Sequence, residues 1–186
     1  PILNSLGHTA RLGQSLAAAG LRMELYEGLA GEPKSATIDA AAALARKAEA
    51  KAVIGLGGGS ALDTAKLVAC CAASGLPASA YELCATPLPA SRLPLIAIPT
   101  TAGTGSEATR NAVLSRHGAN GFKKSFRDDA LMARYALIDP DLLRTCPKPL
   151  VAANGMDALT QLIEAFVSLR ANPMTDALAL SGIALA

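Results

Sequence analysis

Three short stretches concentrate the residue types that bind and transform small molecules. The first, Leu56-Gly57-Gly58-Gly59-Ser60-Ala61-Leu62-Asp63, lies between an apolar run and a helical pattern. Consecutive glycines permit φ > 0 and leave the backbone bare, so a ligand can approach closely. The helix that follows offers unpaired N–H groups and the positive end of its dipole, which together suit a diphosphate. Ser60 is placed to cap that helix, and Asp63 three residues on completes a capping-box arrangement. Ser60 also stands where the ordinary dinucleotide fingerprint would need its third glycine, and no Lys-Ser/Thr pair follows to make a P-loop. The plainer alternative for this stretch, taken alone, is a tight strand-to-helix turn with a good cap.

The second stretch, Pro99-Thr100-Thr101-Ala102-Gly103-Thr104-Gly105-Ser106-Glu107, also follows an apolar run. Four hydroxyls and two glycines there put hydrogen-bonding capacity at a strand's carboxyl end, where open α/β sheets bind ligands. Two such loops in one sheet suggest a nucleotide held from two sides. The third stretch, Gly155 to Glu164, places Asp157 and Gln161 four residues apart, on one helix face. A carboxylate and an amide oxygen could reach a common metal ion, although two ligands do not close a site and an amide is a weak one. The plainer role for Asp157 is to complement the helix dipole.

The elements that must position these residues follow from hydrophobic periodicity. A helix is expected from Leu6 to Gly20, a strand at Arg22–Tyr26, and a helix from Ile38 to Ala50 capped by Ser35 or Thr37. A short strand at Lys51–Leu56, a helix at Ser60–Ala73 and a buried strand at Pro94–Pro99 come next. Asn111–Ser115 and Lys123–Phe126 could pair as a hairpin, and Tyr135–Asp139 reads as a further strand. Alternating strands and helices imply an α/β fold, a parallel sheet with crossover helices. Beyond Pro147 and Pro149 the pattern is helical, starting near Asn154 and broken at Pro173. A boundary is therefore expected between a domain over residues 1–148 and the start of a helical one over 149–186.

Composition narrows the function classes. Of 186 residues, 51% are hydrophobic, 17% charged and 3% aromatic, which excludes a disordered chain. Seventeen basic against 15 acidic residues give a net charge of +2 with no basic cluster, which speaks against nucleic-acid binding. The longest uncharged stretch, Leu67 to Tyr81, is too short to span a membrane, and no secretory signal is visible. Cys70, Cys71, Cys84 and Cys146 lack CxxC spacing and read as reduced thiols of a cytoplasmic protein. The absence of an initiator Met and the apolar last helix lead us to expect a longer polypeptide.

Three ordered motifs, Gly57 to Lys66, Ile98 to Glu107 and Gly155 to Glu164, resemble the signatures of the iron-containing (group III) alcohol dehydrogenases. The resemblance runs the length of the chain and covers the N-terminal half of a typical member. It implies a Rossmann-like cofactor domain followed by an all-α domain, the dehydroquinate synthase-like architecture. It also implies NAD or NADP as cofactor, a divalent metal (Fe²⁺ or Zn²⁺), an alcohol/aldehyde or ketone substrate pair, and a homo-oligomer, expected to be a dimer. Gly58, Gly59 and Ser60 match the diphosphate loop, Asp63 the cofactor-site aspartate, and Thr100, Thr101 and Thr104 residues around the cofactor. Lys123 falls where the family has a lysine near the nucleotide ribose.

Asp157 matches the first metal ligand, whereas Gln161 stands where the family has a histidine, and the last two ligands would lie beyond Ala186. Glu32-Pro33 stands where many members have Asn-Pro, and His8 and His117 match no ligand. The aspartate that bears on the choice between NAD and NADP would precede Pro1. In the family the metal polarises the substrate oxygen and eases hydride transfer at the nicotinamide. Gln161 keeps two alternatives in view: metal-independent reduction of the maleylacetate reductase kind, and a non-catalytic nucleotide-binding protein.

Overall fold

A computed structural model describes residues 2–29, 31–84, 86–89, 92–116, 118 and 121–186. The helices are α1 (Ile2–Ser5), α2 (His8–Ala18), α3 (Ser35–Lys47), α4 (Gly59–Ser74), α5 (Lys148–Val167) and α6 (Pro173–Ile183). The strands are β1 (Val53–Gly57), β2 (Leu95–Pro99), β3 (Asn111–Arg116), β4 (Phe122–Arg127) and β5 (Tyr135–Ala136).

Strands β1, β2 and β5 form a parallel sheet in that order, with Val53 opposite Leu95 and Gly57 opposite Pro99. Parallel neighbours need a crossover, and α4 supplies the one between β1 and β2. The expected α/β architecture is therefore present. The expected hairpin is present too: β3 and β4 pair antiparallel, from Asn111 opposite Arg127 to Arg116 opposite Phe122.

Helix α4 is the central element, packed against β1, β2, β3 and α3. A helix on the surface of a sheet would normally bury one face; here Leu62 and the whole run Thr64–Cys71 are buried. Its apolar residues meet Ile38, Ala41 and Ala42 of α3 and Ala112, Leu114 and Phe126 of the hairpin in one core. Gly75, at φ +74, ends the helix, and its N–H donates to Cys71 O at 3.0 Å. A left-handed residue after the last turn is where glycine carries no Cβ penalty.

Several expectations need correction. Arg22–Tyr26 alternates like a strand, yet among the described residues no backbone pairs with it. The strand expected over Tyr135–Asp139 shrinks to two residues. Leu137 N–H donates to Ala97 O at 2.8 Å, and beyond it the chain leaves the sheet with Ile138 exposed. Helix α3 begins at Ser35, with Lys34 at the cap position and no capping side chain, so neither Ser35 nor Thr37 caps it. Helix α5 begins at Lys148, six residues before the expected start near Asn154.

Among the described residues no helix is long and apolar enough to cross a membrane. Cys70, Cys71 and Cys146 are free thiols. Burial pushes the Cys70 thiol up to about 11 and the Cys71 thiol up to about 12, so neither is a thiolate nucleophile at neutral pH. His8 opens α2, and His117 lies outside the described residues.

Candidate functional site

The glycine loop and the threonine loop leave neighbouring parallel strands at their carboxyl ends and meet. Thr100 N–H donates to Gly57 O at 3.0 Å, continuing the β1–β2 ladder into the loops. Gly57 has φ +148, and a Cβ there would fall 2.7 Å from Ala61 Cβ. A Cβ on Gly59 would fall 2.8 Å from Thr104 Cγ2 and 2.9 Å from Thr104 Oγ1. On Gly58 it would lie 3.3 Å from Thr101. Glycine is thus required at two of these positions by close approach, not by turn geometry alone.

The expected cap is absent. Gly58, in an extended conformation, occupies the cap position of α4 with no side chain bonded to the first turn, and Ser60 sits exposed inside that turn. Uncapped N–H groups at the start of a long helix are free to face an anion.

Asp63 does not complete a capping box either. Its Oδ1 accepts from Ser106 Oγ at 2.6 Å and its Oδ2 from Val113 N–H at 2.9 Å. One carboxylate thereby joins α4 to the end of the threonine loop and to β3. Lys66, one turn on, is fully buried, and its ammonium donates to Asn111 O (2.6 Å), Thr109 O (2.9 Å) and Thr109 Oγ1 (3.2 Å). Asp63 Oδ1 lies 4.0 Å away. Burial lowers the Lys66 pKa, against the opposing pull of Asp63 and Glu107.

These loops, the hairpin and the residues before α3 enclose a cleft of about 310 Å³. Gly59, Ser60, Asp63, Thr104, Lys123 and Gln161 line it, together with Glu32, Ser106 and Ser125. Thr100 is buried behind the loop, Thr101 packs on Gly58, and Asp157 is outside the lining, one turn from Gln161 on α5. Lys66 went unremarked as a site residue in the sequence. Its signal was a lone cation heading fifteen uncharged residues, the mark of a buried charge with dedicated partners. A larger concavity, lined by Arg22, Glu24, Leu44 and Lys47, has no ligand loops beside it.

The threonine loop also receives α5. A Cβ on Gly103 would meet Asn154 Cβ and backbone O, each at 2.9 Å, and Gln161 Nε2 donates to Gly103 O at 3.3 Å. Gly103→Ala is expected to push α5 off the loop and to cost about 1–3 kcal/mol. Thermal unfolding checks this; an unchanged Tm would show that the loop yields freely.

The sequence model for "Iron-containing alcohol dehydrogenase" matches residues 2–140, and that for "Fe-containing alcohol dehydrogenase family, C-terminal" matches 151–186. The chain belongs to the iron-containing alcohol dehydrogenase family. Probable alcohol dehydrogenase EutG of Escherichia coli is 40% identical over 98% of this chain and 46% of its own length. Long-chain-alcohol dehydrogenase 1 of Geobacillus thermodenitrificans is 41% identical over 100% of this chain and 47% of its own. The chain thus spans about half the length of the curated relatives it matches. Among solved structures, sulfoacetaldehyde reductase from Bifidobacterium kashiwanohense in complex with NAD⁺ superposes with a TM-score of 0.90 at 33% identity. It covers 96% of this chain and 46% of that one.

The family name carries iron, so the donors on α5 bear testing. Gln161 is exposed and spends its amide nitrogen on Gly103 O; only its weakly basic amide oxygen could ligate. Asp157 is half-buried one turn earlier. Among the described residues no group of three His, Cys, Asp or Glu side chains could hold a metal. These two residues offer one edge of a coordination shell and do not by themselves build a metal centre.

Proposed function

We propose that this chain is the cofactor-binding part of a nicotinamide-dependent oxidoreductase that interconverts an alcohol with an aldehyde or ketone. The observation that carries it is the contact of Gly59 with Thr104 at the uncapped start of α4, on the wall of the cleft. The N–H groups of the first turn take the diphosphate, and the absence of Cβ atoms lets it come close. Ser60 and Thr104 add hydroxyls, Thr101 supports the loop from behind, and Lys123 reaches the cleft from β4. A dinucleotide so held presents its nicotinamide for hydride exchange with the substrate carbon. The names of the relatives, alcohol dehydrogenases in two bacteria, and a neighbour complexed with NAD⁺ support the reading.

Asp157 is the residue we assign to a divalent ion, Fe²⁺ or Zn²⁺, with Gln161 as a weak second donor and the remaining donors supplied from outside the described residues. We place the domain division at 148/149, in the first turn of α5, and the protein in the cytoplasm. Helices α5 and α6 expose Leu150, Val151, Ile163, Phe166, Val167, Leu178 and Leu180. An apolar surface of that kind is ordinarily covered by protein, which supports an oligomer, a dimer in our reading.

The test follows NADH and NADPH absorbance with a panel of short aldehydes, with added Fe²⁺ or Zn²⁺ and again after chelation, on the longest chain obtainable. Cofactor oxidation that depends on metal supports the whole reading. Turnover indifferent to chelation replaces it with metal-independent reduction, which the engaged amide of Gln161 favours. In the same chain, Gln161→His is expected to tighten Fe²⁺ or Zn²⁺ binding about tenfold or more, because a neutral imidazole is the stronger ligand. Direct metal titration reads this, and unchanged affinity removes Asp157 and Gln161 from the metal site.

A further inference from the structure

One helix fastens two sides of the cleft. Helix α4 opens at the glycine loop with its uncapped first turn, and further along it carries Asp63 and Lys66. Ser106, Thr109, Asn111 and Val113 line the cleft on the hairpin side, and each is bonded to one of those two side chains. Ser106 Oγ (2.6 Å) and Val113 N–H (2.9 Å) donate to the Asp63 carboxylate. Thr109 O, Thr109 Oγ1 and Asn111 O accept from the Lys66 ammonium. The hairpin explains this pattern. Arg110 O accepts from Asp128 N–H on the β4 side, so alternation puts Thr109 O, Asn111 O and Val113 N–H on the edge of β3 turned away from β4. A two-stranded ribbon leaves that edge without a strand partner. An ionised carboxylate only accepts and an ammonium only donates, so Asp63 and Lys66 together meet both kinds of backbone group. Alternate side chains share one face of a strand, so Asn111 and Val113 line the cleft while Ala112 and Leu114 enter the core.

We propose that Lys66 is a positioning residue for the bound dinucleotide: paired with Asp63, it stands in for a neighbouring strand along β3 and fixes the hairpin side of the cleft relative to the glycine loop. The proposal rests on the cofactor reading above and deepens it. Lys66 is fully buried and is not among the residues lining the cleft, so it offers a ligand no direct contact. Its influence on binding passes through Thr109 and Asn111, which do line the cleft. Such an influence is large where geometry is exacting, since a misplacement of about 1 Å can cost up to about 100-fold. Because the same helix supplies the first-turn N–H groups and the hold on β3, the two sides of the cleft share one rigid reference.

The longest soluble chain is compared as wild type, Lys66→Met and Leu95→Ala, by NADH fluorescence titration and by amide hydrogen exchange. Leu95 is 2% exposed at the end of β2 away from the threonine loop, so its truncation destabilises the sheet and leaves the edge of β3 alone. Well below each unfolding midpoint, Lys66→Met is expected to bind NADH about tenfold more weakly than the wild type, and Leu95→Ala within about twofold of it. In Lys66→Met, exchange across residues 106–113 should quicken beyond what the lower global stability accounts for; in Leu95→Ala it should not. The loss of affinity should persist in about 1 M salt, where the Debye length is about 3 Å, because it arises from position and not from the missing charge. Equal affinities in the two variants, a loss that salt abolishes, or unchanged relative exchange over 106–113 overturns the positioning role. If Lys66→Met does not fold, Asp63→Asn, which keeps the shape and one acceptor, is read by exchange at Val113 and decides the same way. A wild type that binds no dinucleotide overturns the cofactor reading and with it the role of Lys66 toward a dinucleotide, while the exchange measurement still judges its hold on β3.

Discussion

Replacing Gly59 with valine is expected to weaken NADH binding more than about 100-fold, a loss near 2.7 kcal/mol, in a chain that still folds. The first β-carbon alone would lie 2.8 Å from Thr104 Cγ2 and 2.9 Å from Thr104 Oγ1, inside any real contact distance. Threonine is branched at Cβ and stiff at χ1, so it has few ways to withdraw. The loops must therefore part, and the two further methyl groups of valine then stand where the diphosphate approaches. The fold loses less, because the clash lies at an exposed junction and not in the core around Ile38 and Leu67. Overpacking of this kind costs about 1–3 kcal/mol. Titration with NADH alongside circular dichroism separates the two effects. Unchanged NADH affinity in a folded Gly59→Val chain would remove the glycine loop from the cofactor site.

How much of this was legible beforehand differs element by element, for physical reasons. Strands β1 and β2 and helix α4 stand within two residues of their expected bounds, because short apolar runs bounded by Gly and Pro leave few alternatives. The same prolines misled at α5. Pro147 and Pro149 looked like an interruption, yet proline is well suited to a helix's first turn, where its missing N–H has no partner to lose. At Pro173 the expected break is where α6 begins, and Asn172 caps it by accepting from Met174 and Thr175 N–H while Thr175 Oγ1 accepts from Asn172 N–H. The strand pattern at Arg22–Tyr26 encodes a two-faced segment, but alternation says nothing about which backbone will pair with it.

Within the site, residue types were legible and partners were not. The glycine and threonine loops could be recognised because backbone exposure and hydroxyl density are local properties. That they touch, with Gly59 against Thr104, depends on β1 and β2 being neighbours in the sheet. Asp63 illustrates the limit. Three residues after Ser60 it has the spacing of a capping box, yet its carboxylate is drawn to Ser106 and Val113, 43 and 50 residues away. A local rule lost to a tertiary one because the competing donors are largely shielded from water, and a buried N–H left unpaired costs about 1–3 kcal/mol.

Lys66→Met is the substitution expected to cost the fold most, about 3 kcal/mol, which for a chain of this length lowers Tm by roughly 6–12 °C. Methionine fills a similar volume, so the loss is one of charge and hydrogen bonds. Thr109 O and Asn111 O would lose the donor of their part-buried hydrogen bonds, and the Asp63 carboxylate would lose the cation 4.0 Å away. Those acceptors lead from the threonine loop into β3, so cofactor affinity should fall with stability. Neutralising the partner as well, in Asp63→Asn with Lys66→Met, should recover part of the deficit if the two charges are coupled. The pH dependence distinguishes burial from pairing. Burial holds the Lys66 pKa below the ordinary lysine value, so between the two values the unfolded chain binds more protons than the folded one. Stability from this group therefore rises with pH across that window and is flat below it. The wild type should accordingly gain on Lys66→Met as pH climbs through the window, measured by denaturant unfolding. A deficit that shrinks instead would mean that Asp63 and Glu107, not burial, set the charge on Lys66.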